Sequence, residues 1–331
     1  MDRIVRLIKV TVVLCFLTIA LLSVILMLKF NPSFLEPKVA EEEEIKKPEL
    51  WRAPDIASLE KDDNAQLILY GRELIARTAN YLGPQGSVMH ISNGMNCQNC
   101  HLDAGTKPFG NNYGAVASLY PKFRARSGAL ESIEKRVNDC LERSLNGGPL
   151  DSLSKEMRAM VAYITWLGKD VPKGKKAEGS GLVEMEWLPR AADPAKGKKL
   201  YMQQCLICHG RDGEGQKVSA DAPGYIYPPL WGANSFNTAA GLYRISNLAR
   251  YIFANMPNGA TFDKPTLTQE QAWDIAAYIE SMPRPEKAFA GDWPKLETKP
   301  VDHPFGPYTD SFSERQHKYG PFREIIDRGA K

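Results

Sequence analysis

The sequence predicts a mainly α protein: an N-terminal helix that crosses a membrane or directs export, two small helical domains in tandem, and an extended tail. Three observations predict it. Val10 to Leu28 form an uncharged apolar run. The pentapeptides "CQNCH" and "CLICH" occur once in each half of the remaining chain. Each pentapeptide lies between an opening and a closing helix pattern, and the two sets of patterns share residues.

The apolar run follows Arg3, Arg6 and Lys9 and is 19 residues long. About 20 apolar residues span a bilayer as a helix. A positive flank ahead of the run holds the N-terminus in the cytoplasm and sends the remainder across. A cleavable signal has a shorter apolar region and a small-x-small site. Here "KFNPSF" follows, and Ala40 with Lys38 two positions before it is a poor site. The expectation is an uncleaved anchor over residues 1–30 and a periplasmic protein; a cleaved signal is the alternative. Residues 31–50, acidic then basic, read as a solvated linker.

The first domain is expected over 51–168, a Gly- and Lys-rich connection over 169–187, the second domain over 188–283, and the tail over 284–331. "YGRELIARTANYL" and "KGKKLYMQQCLICH" share Gly-x-x-Leu at Gly71–Leu74 and Gly197–Leu200. "EMRAMVAYITWLG" and "QAWDIAAYIESMP" are amphipathic and share Ala-Tyr-Ile around Tyr163 and Tyr278. The tail is rich in Pro and aromatic residues and reads as a strap over a domain surface with no chemistry of its own. A formal net charge of +3 is too small to point to nucleic acid.

C-x-x-C-H is the attachment signature of c-type haem. Cys97 and Cys100, and Cys205 and Cys208, supply the thiols; His101 and His209 then ligate the irons from the proximal side. Zinc would require a second donor pair at matching spacing, and a redox dithiol gives no reason for histidine after both motifs. The expected cofactors are two covalent haems. An opening helix, a haem motif, a loop and a closing helix resemble a small cytochrome c domain, here repeated.

Each iron needs a distal ligand or an open position. In the second half Met256 lies in the turn-rich "NMPNG", 47 residues after His209 and 22 before Tyr278. Thioether ligation favours ferrous iron and raises the potential. In the first half, 23 residues before Tyr163 lies Cys140. His90 is a rival ligand, and a buried inert thiol is the plain alternative. A thiolate stabilises ferric iron and lowers the potential, so electrons would run from the first site to the second. A simple shuttle needs no cysteine ligand, whereas sulfur chemistry would use one.

"SGALESIEKRVNDCLERSLNGG" reads as a helix from near Ser127 to Gly147. On it Arg136, Cys140 and Ser144 are spaced four apart and share a face. Lys122, Arg124 and Arg126 precede it. Cations beside a sulfur favour a thiolate and attract anions, and a guanidinium fork suits oxyanions. The alternative is that these arginines pair with Glu131, Glu134 and Glu142.

The stretch "MNCQNCHLDAGTKPFGNNYGAVASLYPKFRARSG", followed by "IEKRVNDCLERSLNG", closely resembles thiosulfate dehydrogenases of the TsdA type. The resemblance covers roughly residues 60–283 and is most specific over 95–147. It implies an exported dihaem cytochrome that joins two thiosulfates into tetrathionate, with reversal as tetrathionate reduction in some members. It implies a His101/Cys140 haem at the active site, a His209/Met256 haem for electron exit, and substrate contacts from Arg126, Arg136 and Ser144. Some members carry Lys immediately before the second Met; this chain has Asn255. The acceptor expected from the compartment is a periplasmic c-type cytochrome. The rival functions are a dihaem electron shuttle and a SoxAX-like sulfur-transfer cytochrome.

Overall fold

The computed structural model describes residues 1–30 and 49–329. Residues 1–48 and 49–331 are separate units. In the first, helix α1 (Asp2–Phe30) is 29 residues, and an 18-residue window within it has a mean hydropathy of 2.9. At 1.5 Å per residue it is about 43 Å long, more than the ~30 Å of a hydrocarbon core. Nearly all of the expected linker over 31–50 lies outside the described residues.

In the second unit, α2 (Ala65–Ala76) precedes the first haem motif. Strands β1 (Lys122–Arg124) and β2 (Ala129–Glu131) form an antiparallel hairpin with Phe123 opposite Leu130. Helix α3 is Ile133–Arg143 and α4 is Lys155–Leu167. Helix α5 (Pro194–Gln204) precedes the second motif, and β3 (Gln216–Lys217) pairs with β4 (Tyr225–Tyr227). Helices α6 (Ile245–Asn255) and α7 (Gln269–Ser281) close the second half. The tail adds α8 (Glu314–Tyr319) and α9 (Arg323–Gly329).

The expected helix from Ser127 is shorter than the sequence reading. Gly128 takes φ +65° and its N–H closes a turn onto the Arg124 carbonyl at 2.9 Å, which makes a hairpin of 122–131. Helix α3 then starts where the Ser132 side chain accepts from the Lys135 N–H, a standard N-cap.

The repeat is physical. A Cβ on Gly71 would lie 1.9 Å from the Ala159 carbonyl oxygen and 2.9 Å from Tyr163 Cβ. A Cβ on Gly197 would lie 1.8 Å from the Asp274 carbonyl oxygen and 2.9 Å from Tyr278 Cβ. Glycine therefore lets α2 cross α4, and α5 cross α7, in backbone contact. The shared Gly-x-x-Leu and Ala-Tyr-Ile are the two sides of one crossing. One core gathers around Leu74, Met157 and Tyr163, the other around Tyr201, Trp273 and Ile275. Tyr225, Phe236 and Tyr243 of the second half pack into the first core, so the two halves share an apolar interface.

Candidate functional site

The two histidines are held alike. His101 Nδ1 donates to the Asn111 carbonyl at 2.6 Å, and His209 Nδ1 donates to the Pro228 carbonyl at 2.9 Å. A backbone carbonyl on Nδ1 fixes the ring and leaves Nε2 as the lone-pair nitrogen. Burial pushes the His101 imidazole down to about 4; the Asn111 carbonyl opposes this and Arg136 adds to it. Burial lowers His209 also. Both rings are neutral at ordinary pH, the form that binds iron.

Burial pushes the Cys97 thiol up to about 11 and the Cys100 and Cys205 thiols up to about 12. These sulfurs are held as neutral thiols, unlike the thiolates of a zinc site. Among the described residues no cluster of three His, Cys, Asp or Glu side chains is set to hold a metal by itself. Paired thiols, a carbonyl-anchored imidazole and a largely apolar wall fit haem c in each half.

His101 and Cys140 line one cavity of about 250 Å³, together with Cys97, Cys100, Arg136 and Ser144. His209 and Met256 line another of about 670 Å³, with Cys205 and Cys208. Cys100 and Asn96 belong to both walls. The Tyr251 hydroxyl donates to the Asn99 carbonyl inside the first motif at 3.2 Å. Asn255, buried beside Met256, donates to the Phe109 carbonyl at 3.0 Å. These bonds join the distal helix of the second cavity to the loop of the first.

Helix α3 presents Arg136, Cys140 and Ser144 to the first cavity, as the spacing of four requires. Arg136 is half-buried, and among the described residues no carboxylate lies within 4 Å of it. The facing Cys140 charge raises its guanidinium further above the ordinary range, against the effect of burial. The acidic side chains of the neighbourhood serve other cations: Glu131 lies 3.9 Å from Arg124, and Asp139 lies 2.5 Å from Lys135 and 3.7 Å from Arg143. Arg126 does not line this cavity. It donates to the Ala239 carbonyl at 3.4 Å and sits 5.6 Å from the Trp293 ring. Burial, then repulsion from Arg143, lowers its guanidinium to about 10, while Asp292 opposes the shift. His90 is exposed and lines neither cavity.

The tail takes part in what sequence reasoning left as a plain strap. Arg143 makes a bidentate pair with Asp292, at 2.6 and 2.8 Å, and lies 3.8 Å over the Phe289 ring. The Lys287 ammonium donates to the Glu142 and Gly147 carbonyls at 3.1 and 2.9 Å, satisfying the C-terminal end of α3. The Trp293 N–H donates to the Arg126 carbonyl at 2.6 Å. Fully buried Asp302 accepts from Arg244 at 2.9 and 2.6 Å and from the Ser246 N–H and hydroxyl, at the N-terminus of α6. One tail thus ties down the two helices that carry Cys140 and lead into Met256. No local sequence pattern signalled this.

Residues 88–172 match the family profile SoxA/TsdA, cytochrome c domain, and residues 194–283 match Cytochrome c. The chain is 35% identical over 236 residues to the thiosulfate dehydrogenase of Stutzerimonas stutzeri (strain A1501), covering 71% of this chain and 73% of that protein. It is 37% identical over 246 residues to that of Psychrobacter arcticus, covering 73% and 71%. Among solved structures it is similar to thiosulfate dehydrogenase (TsdBA) from Marichromatium purpuratum in its as-isolated form. There the TM-score is 0.67 and the identity 28%, over 79% of this chain and 54% of that one. This chain therefore spans about half the length of that solved protein.

Proposed function

Because this chain belongs to the thiosulfate dehydrogenase family, we propose that its first cavity is where thiosulfate is oxidised and its second is where the electrons leave. The protein is a dihaem c-type cytochrome and an oxidoreductase that oxidises thiosulfate. Haem c is held by Cys97, Cys100 and His101 in the first half and by Cys205, Cys208 and His209 in the second. In this reading Cys140 would also hold the first haem and Met256 the second. When bound, the two irons accept one electron each, the number released by 2 S2O3(2−) → S4O6(2−) + 2 e−.

The protein's own groups account for the remainder. The Arg136 guanidinium and Ser144 hydroxyl stand one turn to either side of the Cys140 sulfur and hold a thiosulfate against it. The Cys140 thiolate and one thiosulfate form a Cys–S–S–SO3(−) linkage with loss of two electrons. The second thiosulfate then attacks that linkage, forming tetrathionate and returning the Cys140 thiolate. Arg126 acts through its charge beside Arg136 and through the Trp293 contact. A thiolate holding the first iron would lower its potential and a thioether would raise that of the second, so electrons would run from the first site to the second. The acceptor in this reading is a c-type cytochrome on the exported side, with α1 as tether. The domains are 51–168 for chemistry and 188–283 for electron transfer, joined by 169–187.

The observation that carries this reading is Arg136: a guanidinium with no carboxylate within 4 Å among the described residues, facing Cys140 in the cavity of a haem-binding histidine. The test is Arg136→Met in the haem-loaded full chain, with thiosulfate and ferricyanide in one assay and tetrathionate and a reduced viologen in the other. Loss of one charge-assisted contact, about 1.5–3 kcal/mol, lowers kcat/KM by about 10- to 100-fold in both directions. Unchanged kcat/KM would reject the role given to Arg136. The ratio of the two wild-type rates gives the favoured direction.

A further inference from the structure

The reaction brings two dianions together, yet Arg136 and Ser144 suffice to hold only one of them at Cys140. We propose that the mouth of the first cavity is a second sulfur-oxyanion subsite, formed by Lys122 and Lys176 with Arg124 behind them. It takes the second thiosulfate, or the outer sulfonate of tetrathionate in the reverse reaction. This rests on the thiosulfate reading above and extends it to residues outside the Cys140 helix.

Three observations carry it. The wall of this cavity holds four cations, Lys122, Arg124, Arg136 and Lys176, and no Asp or Glu. Glu131 lies 3.9 Å from Arg124, which leaves Lys122, Arg136 and Lys176 to face the anions. Among the described residues neither Lys122 nor Lys176 has a carboxylate within 4 Å.

The second observation is that Lys176 is placed, although it lies in what reads from sequence as a Gly- and Lys-rich connection. The Lys173 ammonium donates to the Ala117 carbonyl at 3.1 Å and also to the Tyr120 carbonyl. The Gly174 N–H donates to the Ser118 carbonyl at 2.9 Å, and the Ser118 hydroxyl donates to the Lys175 carbonyl at 2.7 Å. Beyond it, the Phe109 N–H donates to the Gly179 carbonyl at 2.7 Å and the Asn111 N–H to the Gly181 carbonyl at 3.0 Å. The loop that carries Lys176 is thus fastened to the first half on both sides.

Third, Lys122 arrives from a different element. It opens β1, two residues after the Tyr120 carbonyl that receives Lys173, and its partner across the hairpin is Glu131. Two cations from two separately anchored segments converge on one opening. Both are exposed at the mouth, whereas Arg136 is half-buried deeper in the wall. This order suits sequential loading: the inner anion against Cys140 first, the outer anion held for the coupling step.

The same charges would also suit the carboxylates of the haem itself, and the experiment separates the two. Haem-loaded full-length wild type is compared with Lys176→Gln, Lys122→Gln and Lys176→Arg in thiosulfate–ferricyanide kinetics. The absorption spectrum and midpoint potential of the first haem are recorded for each. Each Gln variant is expected to raise the thiosulfate concentration at half-saturation about tenfold, the effect of one weakened charged contact. Its kcat changes less than about twofold, since the inner site is intact. Lys176→Arg restores the wild-type value, and the spectrum and potential stay fixed.

Half-saturation equal to wild type in both Gln variants would overturn the subsite and leave the thiosulfate reading standing. A raised half-saturation accompanied by a shifted spectrum or potential would assign the lysines to the haem carboxylates instead. A fully loaded wild type that does not oxidise thiosulfate would remove the thiosulfate reading, and the subsite with it.

Discussion

Replacing Asp292 with Ala tests whether the tail holds the catalytic helix. Arg143 has a side chain only 5% exposed, and Asp292 is 21% exposed. Their contact is bidentate, at 2.6 and 2.8 Å. Removing one partner of a fully buried pair costs about 3–5 kcal/mol, because the remaining charge loses its compensation. An exposed pair is worth about 0–1 kcal/mol. Two features lower the value here: Asp292 is partly in water, and Asp139 remains 3.7 Å from the guanidinium. One feature raises it, since Arg126 and Arg143 repel each other and Asp292 offsets that repulsion. The balance is about 2 kcal/mol. At about 2–4 °C per kcal/mol for a unit of this size, the haem-loaded variant should melt about 4–8 °C below wild type. Thermal unfolding followed by circular dichroism gives the number. A pair as buried as Arg143 keeps most of its effect in 0.5 M salt, whereas a surface pair would lose it. A variant melting within about 1 °C of wild type, or a deficit that salt erases, would refute the clamp.

Gly197→Ala should be among the most damaging single changes in the chain, because its Cβ would overlap the Asp274 carbonyl at 1.8 Å. Overpacking of this kind costs at least about 1–3 kcal/mol, read as lost yield of haem-loaded protein and a lowered Tm, while Gly148→Ala, with open space around it, should match wild type. Acid should loosen the tail through His303, whose imidazole is pushed down to about 4, first by burial and then by Lys299 and Arg126. Its folded value lies below the ordinary 6.5, so between about pH 6.5 and 4 the unfolded chain binds a proton the folded chain refuses, and stability falls as the pH drops. After allowance for partial exposure this amounts to about 2 kcal/mol. His303→Gln should therefore narrow the gap in Tm between pH 7 and pH 4.5; an unchanged gap would reject the assignment.

The haem motifs and the repeat were legible because they are local. Two C-x-x-C-H pentapeptides need only five residues each. The Gly-x-x-Leu and Ala-Tyr-Ile pairs mark a helix crossing whose steric demand, a carbonyl less than 2 Å from a missing Cβ, leaves glycine as the one residue that fits. Counting back from Tyr163 and Tyr278 put Cys140 and Met256 in corresponding places, and each lines the cavity of its own histidine. Residues 127–131, the second arm of the hairpin, were read as the start of the Cys140 helix, whereas Gly128 in the left-handed region sets a turn there. The tail clamp was not legible. Asp292 meets Arg143 across 149 positions and Asp302 meets Arg244 across 58, and no periodicity encodes such pairs. Lys176 was hidden for a related reason: a Gly- and Lys-rich run resembles a connection unless its backbone bonds to Ala117, Ser118 and Tyr120 are known.

The account rests most heavily on Cys140 as the sulfur at which thiosulfate reacts. The direct test is haem-loaded Cys140→Ala beside wild type, with both haems confirmed by pyridine haemochrome, assayed for thiosulfate oxidation and for tetrathionate reduction. The account predicts loss of turnover in both directions, together with a changed spectrum of the first haem and an unaltered second one. Full turnover from a variant that carries both haems would contradict it and reduce Cys140 to a packing thiol.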